Sequence, residues 1–418
     1  MATYFCIDMK SFYASVECAE RGLNPFETNL VVADESRGKG AITLAISPKM
    51  KALGCTNRCR LFEIPKNIKY ICAMPRMKLY IDYCADIYEI YLKYVSSSDI
   101  HQYSIDEAFL DVSKYLSLYK CSAKQFAKKL INEIAEKTHI PATAGIGTNL
   151  YLAKIALDIT AKHSKDHIGY LDEETFRATL WHHTPITDFW NIASGISRRL
   201  ERYYIRDMEG IAHCPEDILY KEFGINAEIM IDHAWGRESC TIADIKNYRS
   251  KSKSLSNSQI LFSDYTFENA RIVIQEMALN LCHRLMKEHV IARTVGISVG
   301  YSRGVMPMTG GSMRMTVSTS AYSLISEYVL EVFDTTTYKD VPIRQLGIFY
   351  CNLVDESAEG YNLFTDQELI EKEKKLERAV LYIKDKFGKN AILRGIDFQE
   401  GATQIIRNKL IGGHNSGV

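Results

Sequence analysis

Hydrophobic positions along this chain switch between short apolar runs and stripes recurring every three or four residues, and the switching predicts alternating strands and helices. Ala2 to Asp8 reads as a strand, with Ser11 as the N-cap of a helix over Phe12 to Arg21. Asn29 to Asp34 and Gly40 to Ser47 read as paired strands around a turn at 35–40, followed by a basic helix through Lys51 to Gly54. A long helix over Met77 to Val95 is expected to bury Leu79, Ile87, Ile90 and Tyr94. A strand over Ser104 to Val112, a helix over Ser122 to Thr138, a strand over Thr143 to Gly147 and a helix over Leu150 to Ala161 then predict an α+β sheet with helices on one face.

After Gly169 the pattern is mostly helical to about Gly236. Within it, Trp190 to Leu200 resembles a helix-hairpin-helix turn, whose small residues, Ala193 and Gly195 among them, let backbone N–H groups approach a phosphate. The Ser- and Lys-rich stretch Tyr248 to Ser258 reads as a linker running into a strand. Beyond it, helices at Glu268 to Lys287 and Tyr322 to Phe333 are interleaved with strands near Thr294 to Tyr301, Met313 to Thr319 and Ile343 to Cys351. That order predicts a β-α-β-β-α-β domain with an open sheet face. Gln367 to Phe387 carries Leu369, Leu376, Val380, Ile383 and Phe387 on one helical face.

With 418 residues, 46% hydrophobic and 24% charged, the chain is long enough for two to four domains. No apolar stretch approaches the roughly 20 residues of a membrane helix, and the N-terminal sequence lacks a signal-peptide pattern, so a cytoplasmic location is expected. Eleven cysteines without a repeating spacing fit reduced thiols. Formal net charge is zero, which argues against a protein that simply coats nucleic acid. Basic residues nevertheless cluster at Lys49, Lys51, Arg58 and Arg60, at Arg198, Arg199 and Arg202, and at Arg249, Lys251 and Lys253.

The chemistry lies where strands stop. Asp8 ends the first apolar run, and Asp106 and Glu107 stand in Ser104-Ile105-Asp106-Glu107-Ala108-Phe109-Leu110-Asp111. Carboxylates fixed at strand ends suit a divalent-metal site, and their pairing suggests a two-metal phosphoryl-transfer centre. Because strand side chains alternate, Asp106 and Glu107 can share a site only if a turn or bulge interrupts the strand between them. From the residues alone Asp8 and Asp106 rank ahead of Glu107.

Asp8 to Glu17 (DMKSFYASVE), Ser104 to Asp111 (SIDEAFLD) and Gly145 to Lys154 (GIGTNLYLAK) resemble, in order, the Y-family translesion DNA polymerases. Lys51-Ala52-Leu53-Gly54 and the tail from Glu400-Gly401-Ala402-Thr403 to Ile411-Gly412-Gly413-His414 are similar to the UmuC-type branch, its Gram-positive and mobile-element members in particular. The resemblance implies a right-hand polymerase: palm at 1–10 and 78–170, fingers at 11–77, helical thumb at 171–240, linker at 241–253, little finger at 254–355 and a tail at 356–418. It implies two Mg²⁺ ions held by Asp8, Asp106, Glu107 and the main-chain carbonyl of Met9. Tyr13 would be the steric gate that prefers dNTPs, Phe12 its support, and Lys51 and Lys162 cations for the incoming triphosphate.

The resemblance further implies that primer-template DNA is held along its backbone, with Lys253, Ser254, Arg293, Tyr301 and Arg303 as little-finger candidates. Gly360 with Tyr361, Asn362, Leu363 and Phe364 resembles a sliding-clamp peptide. Gln345 to Phe349 has a similar look, but its alternation favours a strand. An UmuD-like accessory subunit is a further partner of this branch, and no membrane association is implied. The chain departs from the DinB-type pattern in three places: no Tyr within Thr43 to Pro48, Asn191 and Ala193 where glycines are usual, and one extra residue between Asp158 and Lys162. The expected function is low-fidelity, template-directed synthesis past damaged bases. A non-catalytic DNA- and clamp-bound scaffold is the alternative, and a nucleotide cyclase on a similar palm is a third option.

Overall fold

Burial of every side chain from Tyr4 to Ile7 makes the first apolar run an interior strand, Tyr4–Met9 (β1). The computed structural model describes residues 2–250 and 253–417, so Lys251 of the third basic cluster and Ser252 of the expected linker lie outside the described residues. Two compact units are present, one running to Tyr248 and including Ser416 and Gly417, the other covering 249–415.

The first unit continues with Phe12–Ala19 (α1), Leu30–Val32 (β2), Ala45–Ile46 (β3), Pro48–Ala52 (α2), Ile71–Ala73 (β4), Met77–Leu92 (α3), Ile100–Gln102 (β5) and Glu107–Asp111 (β6). Tyr115–Tyr119 (α4), Ala123–Thr138 (α5), Ala142–Gly147 (β7), Leu150–Ile155 (α6) and Ile168–Leu171 (β8) follow. Glu173–Leu180 (α7), Ser194–Glu201 (α8), Met208–Ala212 (α9), Glu216–Phe223 (α10), Asn226–Ala234 (α11) and Ile242–Asn247 (α12) complete it. The last of these lies within the expected linker, and its Ile242 is buried with Tyr4 and Cys6.

β1 is the centre of a five-stranded sheet, β5-β6-β1-β7-β8, antiparallel to both neighbours. Helices cover both of its faces rather than one. Phe5 meets Phe126 of α5 at 5.7 Å between ring centroids, while Tyr4 and Cys6, alternating to the other side, are buried with Leu150, Ala153 and Leu157. There α6 lies so close that a Cβ on Gly145 or Gly147 would sit 2.1 Å from the Ala153 backbone, which gives the Gly-Ile-Gly of the third motif a packing role.

Local capping also departs from expectation. Ser11 adopts a left-handed conformation and makes no side-chain cap; Ser15 Oγ instead donates to the Lys10 carbonyl at 2.6 Å. The basic helix begins at Pro48 rather than Lys51, because Ser47 accepts from Met50 N–H and proline fits the first helical position. On α3 the buried stripe is Met77, Tyr80, Ile87, Ile90 and Tyr91, with Leu79 and Tyr94 only partly covered. Following α6, a π turn over Ala156–Thr160 takes up the extra residue before Lys162.

The second unit contains Ser254–Tyr265 (β9), Phe267–Lys287 (α13), Val290–Tyr301 (β10), Thr309–Thr319 (β11), Tyr322–Thr336 (α14) and Ile343–Cys351 (β12), the expected β-α-β-β-α-β order. Its sheet runs β11-β10-β12-β9 with antiparallel neighbours, and α13 and α14 bury Ile274, Leu281, Ile325 and Phe333 in its core. Val354–Asp355 (β13), Gln367–Phe387 (α15), Gln404–Arg407 (α16), Leu410–Ile411 (β14) and His414–Asn415 (β15) follow.

On α15 the apolar stripe does not form the buried face. Leu369, Leu376 and Phe387 are exposed, whereas Ile370, Lys374 and Glu377 are buried. Glu377 is held by His283 of α13 at 2.6 Å and by Arg394. A second buried carboxylate, Glu276, accepts from Thr403 N–H and Oγ and from Gln404 N–H, so Thr403 of the Glu-Gly-Ala-Thr segment docks on α13.

Candidate active site

Asp8 stands directly opposite Glu107 on the β1–β6 ladder. Opposed residues of an antiparallel pair share a face, so these two carboxylates point to one surface. Asp106 precedes β6 within the bend at 104–106 and is released from alternation, which supplies the interruption the motif requires. Tyr103 and Ser104 N–H groups both donate to the Glu107 carbonyl, and Met9 N–H donates to the Asp106 carbonyl at 3.0 Å. The Asp106 carboxylate accepts from Ser104 Oγ at 2.6 Å.

Burial, followed by repulsion from Asp106 and Glu107, pushes Asp8 up to about 8. Beneath it a buried lysine balances part of the negative charge: Lys154 of α6 donates to Glu107 Oε2 at 2.9 Å and to Asp158 Oδ1 at 3.3 Å. Burial opposes the ammonium form of Lys154, but Cys6, Glu107 and Asp158 together raise its pKa. Cys6 Sγ lies 3.0 Å from Glu107 Oε1, and burial, then Glu107, pushes that thiol well up. With Glu107 engaged in this way, no three carboxylate, thiol or imidazole donors form a ready metal-binding group among the described residues. The donors nonetheless fit a hard divalent cation: Asp8, Asp106 and the Met9 main chain offer oxygens in a nest with excess negative charge.

Tyr13 flanks this nest from α1. Its ring centroid is 5.6 Å from Phe12, itself buried, and 4.7 Å from Tyr80 of α3. Burial and then the charge of Asp106 raise the Tyr13 hydroxyl. Lys51, on α2, is lowered by burial and by Lys162 and raised by Asp8 and Asp106, which places Lys51 within electrostatic reach of the carboxylates and Lys162 within reach of Lys51.

Ala193 and Gly195 lie exposed at the start of α8, after a 3₁₀ turn rather than a full helix, and Asn191 supplies the positive φ of 69° where glycine is more usual. In the second unit Lys253, Ser254, Arg293 and Arg303 are exposed. Tyr301 is not: it is 8% exposed in the core, its hydroxyl meeting Thr309 Oγ at 2.7 Å and accepting from Tyr338 N–H, so it is withdrawn as a DNA contact. In the loop after β13, Tyr361 is partly covered and Asn362 exposed, while Leu363 and Phe364 are 100% and 96% exposed. Gln345 to Phe349 belongs to β12, with Leu346 fully buried.

Sequence reasoning missed Lys154, Tyr80 and Lys10. Lys154 stands four residues before Asp158, the spacing of a helical ion pair, and was the readable signal. Tyr80 was hidden because its role depends on Glu17, whose Oε1 accepts the Tyr80 hydroxyl at 2.8 Å and which Arg76 and Arg21 hold.

Residues 7–158 match the model of the impB/mucB/samB family and residues 252–363 match the model of that family's C-terminal domain. The chain is 32% identical to UvrX of Bacillus subtilis (strain 168), a protein named for UV-damage repair, over 98% of this chain and 97% of that one. It is 30% identical to DNA polymerase IV 2 of the same organism, with 98% of each chain covered. Among solved structures it resembles a Y-family DNA polymerase chimera, with a TM-score of 0.63 and 19% identity over 84% of this chain and 99% of that one. Alignment along nearly its whole length with these relatives, together with the shared fold, shows that the chain belongs to the impB/mucB/samB family of UmuC-like, Y-family DNA polymerases.

Proposed function

We propose that this polymerase adds dNTPs to a primer 3′-OH opposite damaged template bases, as part of SOS damage tolerance. The observation that carries the reading is the meeting of Asp8, Asp106 and Glu107 at the end of one sheet, with Asp8 pushed up to about 8 by burial and by its two carboxylate neighbours. Asp8, Asp106 and the Met9 carbonyl would hold two Mg²⁺ ions, joined by Glu107 when it leaves Lys154. Bound there, Mg²⁺ supplies neutralisation of the triphosphate and a more acidic primer hydroxyl. Tyr13 takes the place beside the sugar, Phe12 supports it, and Lys51 and Lys162 attract the phosphates. The lysine and metal-carboxylate charges together orient the nucleotide before chemistry.

The duplex lies along backbone contacts from Ala193 and Gly195 and from Lys253, Ser254, Arg293 and Arg303, which read no sequence. Leu363 and Phe364, with Tyr361 and Asn362, fit an apolar pocket on a sliding clamp, and an UmuD-like subunit is a second partner of this branch. Among the described residues no helix is long and apolar enough to cross a membrane.

Primer extension with the purified chain, Mg²⁺ and templates bearing an abasic site or a pyrimidine dimer tests the proposal. Synthesis through either lesion is expected. A protein that binds these DNAs but extends no primer, damaged or undamaged, would favour the scaffold, and a cyclic product from one nucleotide triphosphate without DNA would favour the cyclase.

A further inference from the structure

Immediately after β1 the chain carries a lysine that the expected site did not include. Lys10 is anchored through its backbone, its N–H donating to the Pro141 carbonyl at 2.8 Å and its carbonyl accepting from Ser15 Oγ. Its ammonium reaches His167 Nδ1 at 3.0 Å. His167 is itself fixed beside β8, its N–H donating to the Ser164 carbonyl and its carbonyl accepting from Ala144 N–H. Burial and then Lys10 lower the imidazole's pKa, so at neutral pH it presents a lone pair to the ammonium.

The same ammonium lies 6.0 Å from the centroid of Phe26. The neighbouring Pro25 carbonyl accepts from Lys49 N–H at the start of the helix that carries Lys51. Lys10 therefore stands near the start of α2, the helix that carries Lys51, one of the two lysines proposed for phosphate. Lys154 is neutralised by Glu107 and Asp158. By contrast, none of Lys10, Lys51 and Lys162 has a carboxylate within ion-pair distance among the described residues. Lys10 is partly buried while Lys51 and Lys162 are exposed, and like charges brought near one another repel unless a ligand supplies an anion between them. One imidazole uses only one of three ammonium donors and holds the other two ready.

We propose that Lys10, seated by His167, is a third cation for the phosphates of the incoming nucleotide. This rests on the polymerase reading above. Three lysines on separate segments offer more cationic donors than a single phosphate group needs, which favours a triphosphate over shorter anions.

Two measurements on the full chain test it separately from that reading. In single-nucleotide insertion with Mg²⁺ and undamaged primer-template, Lys10→Gln is expected to raise the dNTP KM about tenfold, equivalent to about 1.4 kcal/mol. Its kcat and DNA Kd should stay within about twofold and threefold of wild type, Lys10→Arg should restore most of the KM, and His167→Ala should fall between. In the second, inorganic triphosphate without DNA or metal should raise the Tm of wild type more than that of Lys10→Gln. Equal Tm shifts in the two proteins, an unchanged KM, or a KM that rises only in step with DNA Kd would overturn the inference. A wild type that inserts no nucleotide overturns the polymerase reading instead, while the triphosphate shift still decides whether Lys10 binds phosphate.

Discussion

The ring of Tyr80 lies 4.7 Å from that of Tyr13, and the Tyr80 hydroxyl is tied to the buried Glu17 at 2.8 Å. The gate against ribose proposed for Tyr13 works only if its ring cannot retreat, and the Tyr80 ring packs against it. Tyr13→Ala should admit rNTPs with a large loss of sugar discrimination. Tyr80→Ala should lose about tenfold while leaving dNTP insertion active. The ratio of kcat/KM for dCTP to that for CTP measures both; a Tyr80→Ala ratio equal to wild type would show that the gate needs no backing.

Lys154 is the internal counter-ion of the site, with a side chain 10% exposed between Glu107 and Asp158. Removing one partner of a buried ion pair typically costs about 3–5 kcal/mol because the other charge is left unpaired. Lys154→Ala should therefore lower Tm clearly. Adding Glu107→Gln should recover part of the loss, a coupling that a double-mutant cycle in urea reads directly.

Asp8 gives the metal-free protein a defined pH response. Its folded pKa, about 8, lies above the ordinary 3.8, so the folded state holds the proton more tightly than the unfolded chain. The stability this contributes is complete below the unfolded value and is lost as pH rises through about 8. Without metal, wild type should lose stability relative to Asp8→Asn between pH 5 and pH 8, giving the variant a Tm higher by about 3 °C or more at the upper end. Adding Mg²⁺ at pH 8 should reverse the order, since only wild type regains a counter-charge. Parallel pH profiles for the two proteins would contradict this.

Much of this arrangement was legible in the sequence because local rules and site chemistry coincide there. The apolar run before Asp8, the carboxylate pair after Ser104 and the β-α-β-β-α-β order each follow from periodicity and punctuation. The interruption before Glu107 was deducible from strand alternation alone. What failed depended on packing that no local window contains. Ser11 would cap a helix in isolation, but the chain turns left-handed there as it leaves β1. The stripe on α15 reads as a buried face, yet His283 and Arg394 fix Glu377 and turn the other side inward. Tyr301 was a candidate DNA contact at the end of an expected strand, but Thr309 and Tyr338 bond its hydroxyl and it is buried in the core. Lys10 went unnoticed because its significance lies with His167, which is distant in sequence.

The tail offers an independent check of the second unit. Glu276 is buried and accepts three hydrogen bonds from Thr403 and Gln404. Glu276→Ala should leave those donors unpaired at a cost of about 1–3 kcal/mol. Hydrogen exchange should then accelerate across residues 400–408 more than across β10 and β12. Uniform acceleration through the whole unit would show that the tail is integral to its folding rather than docked on it.

Asp8, Asp106 and Glu107 are proposed to act together on a nucleotide paired to a template. Side-by-side primer extension by wild type and Asp106→Ala across a range of Mg²⁺ concentrations tests it most directly. Template-directed synthesis is expected from wild type and none from Asp106→Ala at any Mg²⁺ concentration, with both proteins binding the same DNA equally well. Comparable synthesis by the two proteins would contradict it.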